Sequence, residues 1–273
     1  MFWIVWTMLF LFSVTVIVVN IFTKPSNDRD WRIDQKVLPY GEIENKEGEE
    51  LITIHNIRNF TYASTTSYTP GYYDKTFNLN EIKKVWYVVS PFSGIPGSAH
   101  TFLSFEFEND QFISISVEVR KEKDELFQPI KGIFNNFEIT YIISDERDVL
   151  KLRSNYQKDL TYVYPIRTEK ETARALFLDM VERANTLKAK PEFYNTLTNN
   201  CTINIARHVN HLVDDRVPLD ITLLLPANSD RLAYELGLID TDLPFEQARE
   251  KYLVNERAEK YADDPAFSRK IRE

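Results

Sequence analysis

Residues 100–120 constrain the fold more than any other stretch, because side chains that alternate with a period of two demand a strand with one buried face. The second half is strict: Ile113, Ile115, Val117 and Val119 point one way, and Ser114, Ser116, Glu118 and Arg120 the other. The run His100-Thr101-Phe102-Leu103-Ser104-Phe105-Glu106-Phe107 reads as its hairpin partner, around a turn at Asn109-Asp110. Pairing like with like sets Phe107 opposite Ile113, Phe105 opposite Ile115 and Leu103 opposite Val117. That register faces Ser104 with Ser116 and puts His100 opposite Arg120, with Glu118 diagonally beside it, around a three-residue loop.

The rest of the chain alternates between strand and helix signals. Further strands are expected from Tyr40 to His55 as a hairpin turning at Lys46–Glu49, at Val85–Val89, at Phe137–Ile143 and at Thr161–Ile166. Ser144-Asp145 reads as a cap for a short helix over Glu146–Leu152. Residues 168–188 carry Ala173, Leu176, Phe177, Met180 and Val181 at helical spacing. These signals give an α+β domain, expected over residues 36–243. From Pro244 to residue 273 the pattern is a charged, amphipathic helical tail, either solvated or docked.

The amino end has a different character. Phe2 to Phe22 carry no charge and only four polar residues, Thr7, Ser13, Thr15 and Asn20. At helical rise this length crosses a bilayer of roughly 30 Å. No Lys or Arg precedes it and no Ala-x-Ala-like site follows, so residues 1–23 are expected to be an uncleaved transmembrane anchor rather than a signal peptide. Residues 24–35 read as a polar tether. Lys24, Arg29 and Arg32 after the span favour a cytoplasmic domain by charge alone. The net charge of −8 argues against nucleic acid as a partner.

Cys201 is the only cysteine, so no intrachain disulfide exists. The polar run Thr198-Asn199-Asn200 leads straight from a loop into a helical pattern and places the thiol at a helix N-terminus, where free N–H groups favour an anion. Such a thiol is a candidate nucleophile; the alternative is a small apolar residue buried in packing. A nucleophile needs a base. Of the four histidines, His208 lies roughly 10 Å further along the same helix, His211 lies farther still, and His55 has no polar companions in sequence. His100, with Glu118 across the hairpin, is the best base. His208 and His211, with Asp214 and Asp215 beyond, fix no third metal ligand by spacing. No phosphate-binding glycine loop and no Gly-x-Ser-x-Gly elbow occurs among the seven glycines, so neither metal nor cofactor is expected.

The stretches Ala99–Phe105, Ile115–Arg120, Asp145–Asp148 and Phe193–Thr202 resemble, in order, the N-terminal periplasmic domain of Lnb-type lipoprotein N-acyltransferases. That family is similar to permuted papain-like, NlpC-type thiol enzymes, in which the histidine strand precedes the cysteine helix. The resemblance implies an antiparallel sheet with a packed cysteine helix, facing the periplasm at a bacterial inner membrane; the family carries further membrane-spanning segments after this domain, whereas the span at residues 1–23 makes a single-pass anchor the expectation here. It implies acyl transfer or acyl hydrolysis on lipid or lipoprotein groups through a Cys201 thioester, with His100 as base and Glu118 orienting it. Asn200, Ser116 and Arg120 would line the site or help hold the oxyanion. The runner-up is a peptidase or amidase acting on cell-wall peptides or protein. A third reading is a catalytically silent envelope-binding module, in which Cys201 and His100 are not in contact.

Overall fold

From residue 33 onward, ten strands and eight α-helices follow one another among the described residues of the computed structural model, which describes Trp3, residues 5–8, Phe10, Leu11, Val14, and residues 23–94 and 96–273. The anchor expected over residues 1–23 falls largely outside the described residues; among the described ones, no helix is long and apolar enough to cross a membrane. The strands are β1 (Tyr40–Lys46), β2 (Glu49–Arg58), β3 (Thr61–Tyr62), β4 (Tyr68–Thr69), β5 (Tyr72–Asn78), β6 (Ile82–Pro91), β7 (Ala99–Phe107), β8 (Gln111–Arg120), β9 (Glu138–Ser144) and β10 (Tyr162–Pro165). The helices are α1 (Ile33–Lys36), α2 (Glu146–Lys151), α3 (Lys170–Ala189), α4 (Cys201–Leu212), α5 (Ser229–Glu235), α6 (Phe245–Tyr252), α7 (Asn255–Lys260) and α8 (Phe267–Lys270).

Eight strands form one sheet in the order β1-β2-β9-β8-β7-β6-β10, with β5 on β2; β3 and β4 pair separately. The sheet was expected to be antiparallel and is mixed, because β2 meets β9 in parallel at Arg58 and Ser144. Strands β6 to β9 form a meander whose odd-numbered residues in β7 and β8 face one core. Leu103, Phe105, Ile113, Ile115 and Val117 pack there against Leu176, Phe177, Met180 and Ile205 of α3 and α4. The alternation seen in sequence is therefore the partition between the two faces of a sheet buried on both sides.

The β7–β8 hairpin differs from expectation by two residues. Phe107 pairs with Gln111, Phe105 with Ile113, Leu103 with Ile115 and Phe102 with Ser116. The loop keeps the expected three residues but is Glu108–Asp110, one residue earlier than like-with-like pairing asks, with Asn109 and Asp110 both left-handed at φ 58° and 54°. Asn and Asp tolerate that region better than other side chains do. An even shift leaves every side chain on its expected face. It moves His100 away from Arg120 and toward Ser116 and Glu118.

The second face of the meander is covered by the carboxyl end. Val88, Phe102 and Val163 pack with Val149 and Leu150 of α2 and with Val254, Ala258, Phe267 and Ile271 of residues 244–273. Of the two readings of that tail, docking is the one observed. Residues 24–35, expected as a tether, lie against the domain from Ser26 onward. Trp31 and Gln35 are buried, Arg32 N–H donates to the Lys121 carbonyl, and the Arg120 guanidinium lies 4.1 Å from the Trp31 ring centroid.

Candidate active site

The loop before α4 shows why the sequence is so rich in asparagine there. Asn195 Oδ1 accepts from the backbone of Leu197 and Thr198, and Asn199 donates to the Phe193 carbonyl. Asn200 is the N-cap: it is extended at φ −99°, ψ 179°, and its Oδ1 accepts from Ile203 N–H at 2.8 Å. Both amide protons of Asn200 are committed, to the carbonyls of Thr196 and Leu223 at 3.0 Å each. Asn200 therefore lines the site and clamps the loops on either side of α4, and has no proton left for an oxyanion. With Ile203 N–H taken by the cap, the N–H groups of Cys201 and Thr202 are the remaining donors at the first turn of α4.

Cys201 opens α4 and faces a cavity of about 270 Å³. His100, Glu118, Lys121, Arg153, Tyr194 and Asn200 share its walls. His100 stands on an even-numbered position of β7, on the sheet face opposite α4. The two faces communicate because the strands part. Recorded β7–β8 pairing stops at Phe102 and Ser116, whereas β7 follows β6 to Ala99 and β8 follows β9 to Arg120. Residues 99–101 and 117–120 thus diverge into a cleft. One hydrogen bond ties its floor: Thr101, next to His100, meets Thr202, next to Cys201, at 2.9 Å between hydroxyls.

On the far side of the cleft a hydrogen-bonded chain fixes the histidine. His100 Nε2 lies 2.7 Å from Ser116 Oγ, and Ser116 Oγ donates to Glu118 Oε1 at 3.0 Å. Glu118 sits 3.9 Å from His100 Nε2, too far for a direct hydrogen bond. Burial opposes the Glu118 charge, but Arg58 foremost, then His100 and Arg153, draw its pKa down to about 2. An ionised carboxylate only accepts. The Ser116 proton is therefore spent on Glu118, Ser116 accepts from Nε2–H, and the lone pair of His100 sits on Nδ1. Burial, helped by Arg153, lowers the His100 pKa to about 3, so the ring is neutral at pH 7.

The structure joins His100, Ser116 and Glu118, and opens Cys201 onto the same cavity. It does not join Cys201 to His100 by a hydrogen bond; the thiol's partner among the described residues is Thr202 Oγ1 at 3.7 Å. Arg120 is not at the site. Its guanidinium donates to the carbonyls of Gln35 and Lys36 and to Asn27 Oδ1, so it fastens the amino-terminal segment instead. His208 is buried against Tyr141 Oη (2.6 Å) and Asp179 (2.5 Å), and His211 takes the other oxygen of Asp179. No cluster of three or more metal-ligating side chains occurs among the described residues.

Sequence reasoning missed Arg153, Lys121 and Gln35. Arg153 lies in a π-helical turn, Leu152–Gln157, that continues α2 and ends at Lys158 with φ 58°. The wider turn is rare and recurs at functional sites, but its sequence reads as an ordinary helix surface. Lys121 falls one residue beyond the alternating run. Gln35 reaches the site only because residues 26–36 dock, donating to Glu118 at 3.2 Å.

No curated protein and no solved structure matches the chain. The model of the Lnb N-terminal periplasmic domain matches residues 68–228, more than half the chain, and that span takes in His100, Ser116, Glu118, Arg153 and Cys201. The chain belongs to the Lnb N-terminal periplasmic domain family.

Proposed function

We propose that this periplasmic domain is a thiol acyltransferase or acyl hydrolase of the cell envelope, built on a permuted papain-like arrangement and carried by a single inner-membrane span at residues 1–23. The observation that carries the reading is a sole cysteine at a capped helix start, sharing one cavity with a neutral histidine whose tautomer is set by Ser116 and Glu118. Cys201 Sγ attacks the carbonyl carbon of an acyl ester while His100 Nδ1 takes the thiol proton. The tetrahedral oxyanion is held by N–H groups at the first turn of α4. The C–O bond breaks, the leaving alkoxide takes the proton back from His100, and a Cys201 thioester remains. An amine or water then attacks that thioester, with His100 again as base.

Two features favour a lipid-bearing substrate. The cavity is framed by Phe127 and Pro129, by Thr196, and by Leu224 and Pro226. Next to these residues the same three loops expose Leu126, Ile130, Leu197, Leu219, Ile221 and Leu225, with Leu219 95% exposed. Exposed aliphatic residues on loops that also line the cavity suit a bilayer surface. A second, apolar cavity of about 150 Å³ flanks α4 at Thr202 and Ile205, beside Leu103, Leu176 and Leu232. The polar wall of His100, Glu118, Lys121 and Arg153 is the feature that favours the other reading, an amidase acting on cell-wall peptides.

The test is intact-mass detection of a Cys201 thioester after mixing the protein with a medium-chain p-nitrophenyl ester. The adduct should form with wild type, vanish in Cys201→Ser, and form at least about 100-fold more slowly in His100→Ala. Formation at an unchanged rate in His100→Ala would sink the pair. Cleavage of a cell-wall tripeptide amide without any reaction on esters would favour the amidase.

A further inference from the structure

Beside the Cys201 cavity lies a third chamber, of about 210 Å³, and Glu118, Lys121 and Arg153 line both it and the Cys201 cavity. Arg32 and Arg58 also reach this chamber. Two of its four cations are neutralised. Arg58 grips Asp148 with two hydrogen bonds of 2.9 Å, and Arg32 pairs with Asp34 at 3.2 Å. Lys121 and Arg153 are not. Among the described residues neither has a carboxylate within ion-pair distance. Arg153 Nη1 donates to the neutral Gln157 at 3.0 Å, its guanidinium lies 5.8 Å from the Phe92 ring centroid, and its Nε is buried with no hydrogen-bond partner. Glu118, the one carboxylate facing both, accepts instead from Ser116 and Gln35.

Glu118 and, further, Asp34 and the buried Asp159 act on these two cations only from beyond ion-pair distance, so neither has a paired charge. Desolvated charge without a partner is costly, and burial lowers the pKa of both Lys121 and Arg153. An anion between them would supply the missing partner, an Arg fork and a Lys point charge being the usual pair for a phosphate oxyanion. The exposed aliphatic residues on the loops that line the cavity suit an anion attached to apolar chains. We propose that Lys121 and Arg153 form an anion subsite that seats the phosphate of a glycerophospholipid acyl donor beside Cys201. Its ester carbonyls share one glycerol with that phosphate, so a single donor reaches both groups. The inference rests on the acyl-transfer reading above.

The experiment is calorimetric titration of the full chain carrying Cys201→Ala, which prevents turnover, with three probes: dihexanoyl phosphatidylglycerol below its micelle concentration, dihexanoylglycerol without phosphate, and inorganic phosphate. The phospholipid should bind, and Arg153→Gln and Lys121→Gln should each weaken it about tenfold, as loss of a charge-assisted contact does. Binding of dihexanoylglycerol should be unchanged by either substitution. Equal loss for both lipids, or no loss for either, overturns the subsite. Inorganic phosphate binding as tightly as the phospholipid overturns the lipid source and assigns the site to free phosphate. Lys121→Gln keeps the test open should Arg153→Gln fail to fold, which its circular dichroism melt would reveal. If the binding differences hold but wild-type protein forms no thioester with the phospholipid, the catalytic reading falls and the anion subsite stands.

Discussion

At the scale of single residues, the charge state of His100 follows from its surroundings. Its pKa falls to about 3 in the fold against an ordinary 6.5, and that of Glu118 to about 2 against 4.5. In both cases the unfolded chain binds protons that the folded one refuses, so stability rises with pH across these windows. The His100 contribution is complete above about pH 6.5 and is lost as pH falls toward 3; that of Glu118 goes between about 4.5 and 2. The expected outcome is a urea midpoint that drops on acidification from pH 7 to 4.5. In His100→Gln, which keeps a donor for Ser116, that drop should be clearly smaller. Parallel pH profiles for the two proteins would contradict the buried neutral histidine. Glu118, expected to orient His100 directly, stands in series with Ser116, which makes the contact with the ring. The sequence put both on the correct face, but the two-residue change in register that sets Ser116 within 2.7 Å of His100 depended on the turn.

At the scale of elements, α4 shows local sequence at its most legible. Asn200 caps the helix as its position suggests, and Cys201 follows as the first helical residue. Asn200→Ala should lower stability by about 1–2 kcal/mol through loss of the cap, with the loss of two loop clamps adding to it. Asn200→Asp keeps the acceptor for Ile203 and loses only the two donations, so chemical denaturation should place it between wild type and alanine. An aspartate variant no more stable than the alanine one would mean that the cap contributes little. The parting of β7 from β8 was not legible. Both runs alternate through the point where they diverge, and the cause is external: residues 26–36 pair with the exit of β8 at Lys121 while β7 stays with β6.

At the scale of the whole molecule, the carboxyl-terminal segment holds the second core together. Arg272 pairs with the buried Glu146, which also accepts from Ser104 on β7, and its guanidinium lies 4.6 and 4.4 Å from the ring centroids of Trp86 and Phe112. Arg272→Ala leaves that carboxylate buried without its cation, a change that costs about 3–5 kcal/mol. Equilibrium unfolding in urea is the measurement, and a loss below about 0.5 kcal/mol would show that water already serves Glu146. Segments far apart in sequence also meet at the site: residues 26–36 bring Gln35 to Glu118, and the turn after α2 brings Arg153.

Local patterning by itself determined the β1–β2 and β7–β8 hairpins, β6, β9, β10, α2 and α3, and that Cys201 begins a helix, because periodicity and capping act over neighbouring residues; β3, β4 and β5 carried no such signal. The order of motifs along the chain gave the family. Tertiary structure decided that Arg120 serves the amino-terminal segment rather than the site, that Ser116 stands between His100 and Glu118, and that Lys121 and Arg153 share the cavity wall with no carboxylate at ion-pair distance. Those outcomes turn on which distant segments dock against a strand end and what charge they carry there, and no spacing within one strand or helix encodes that.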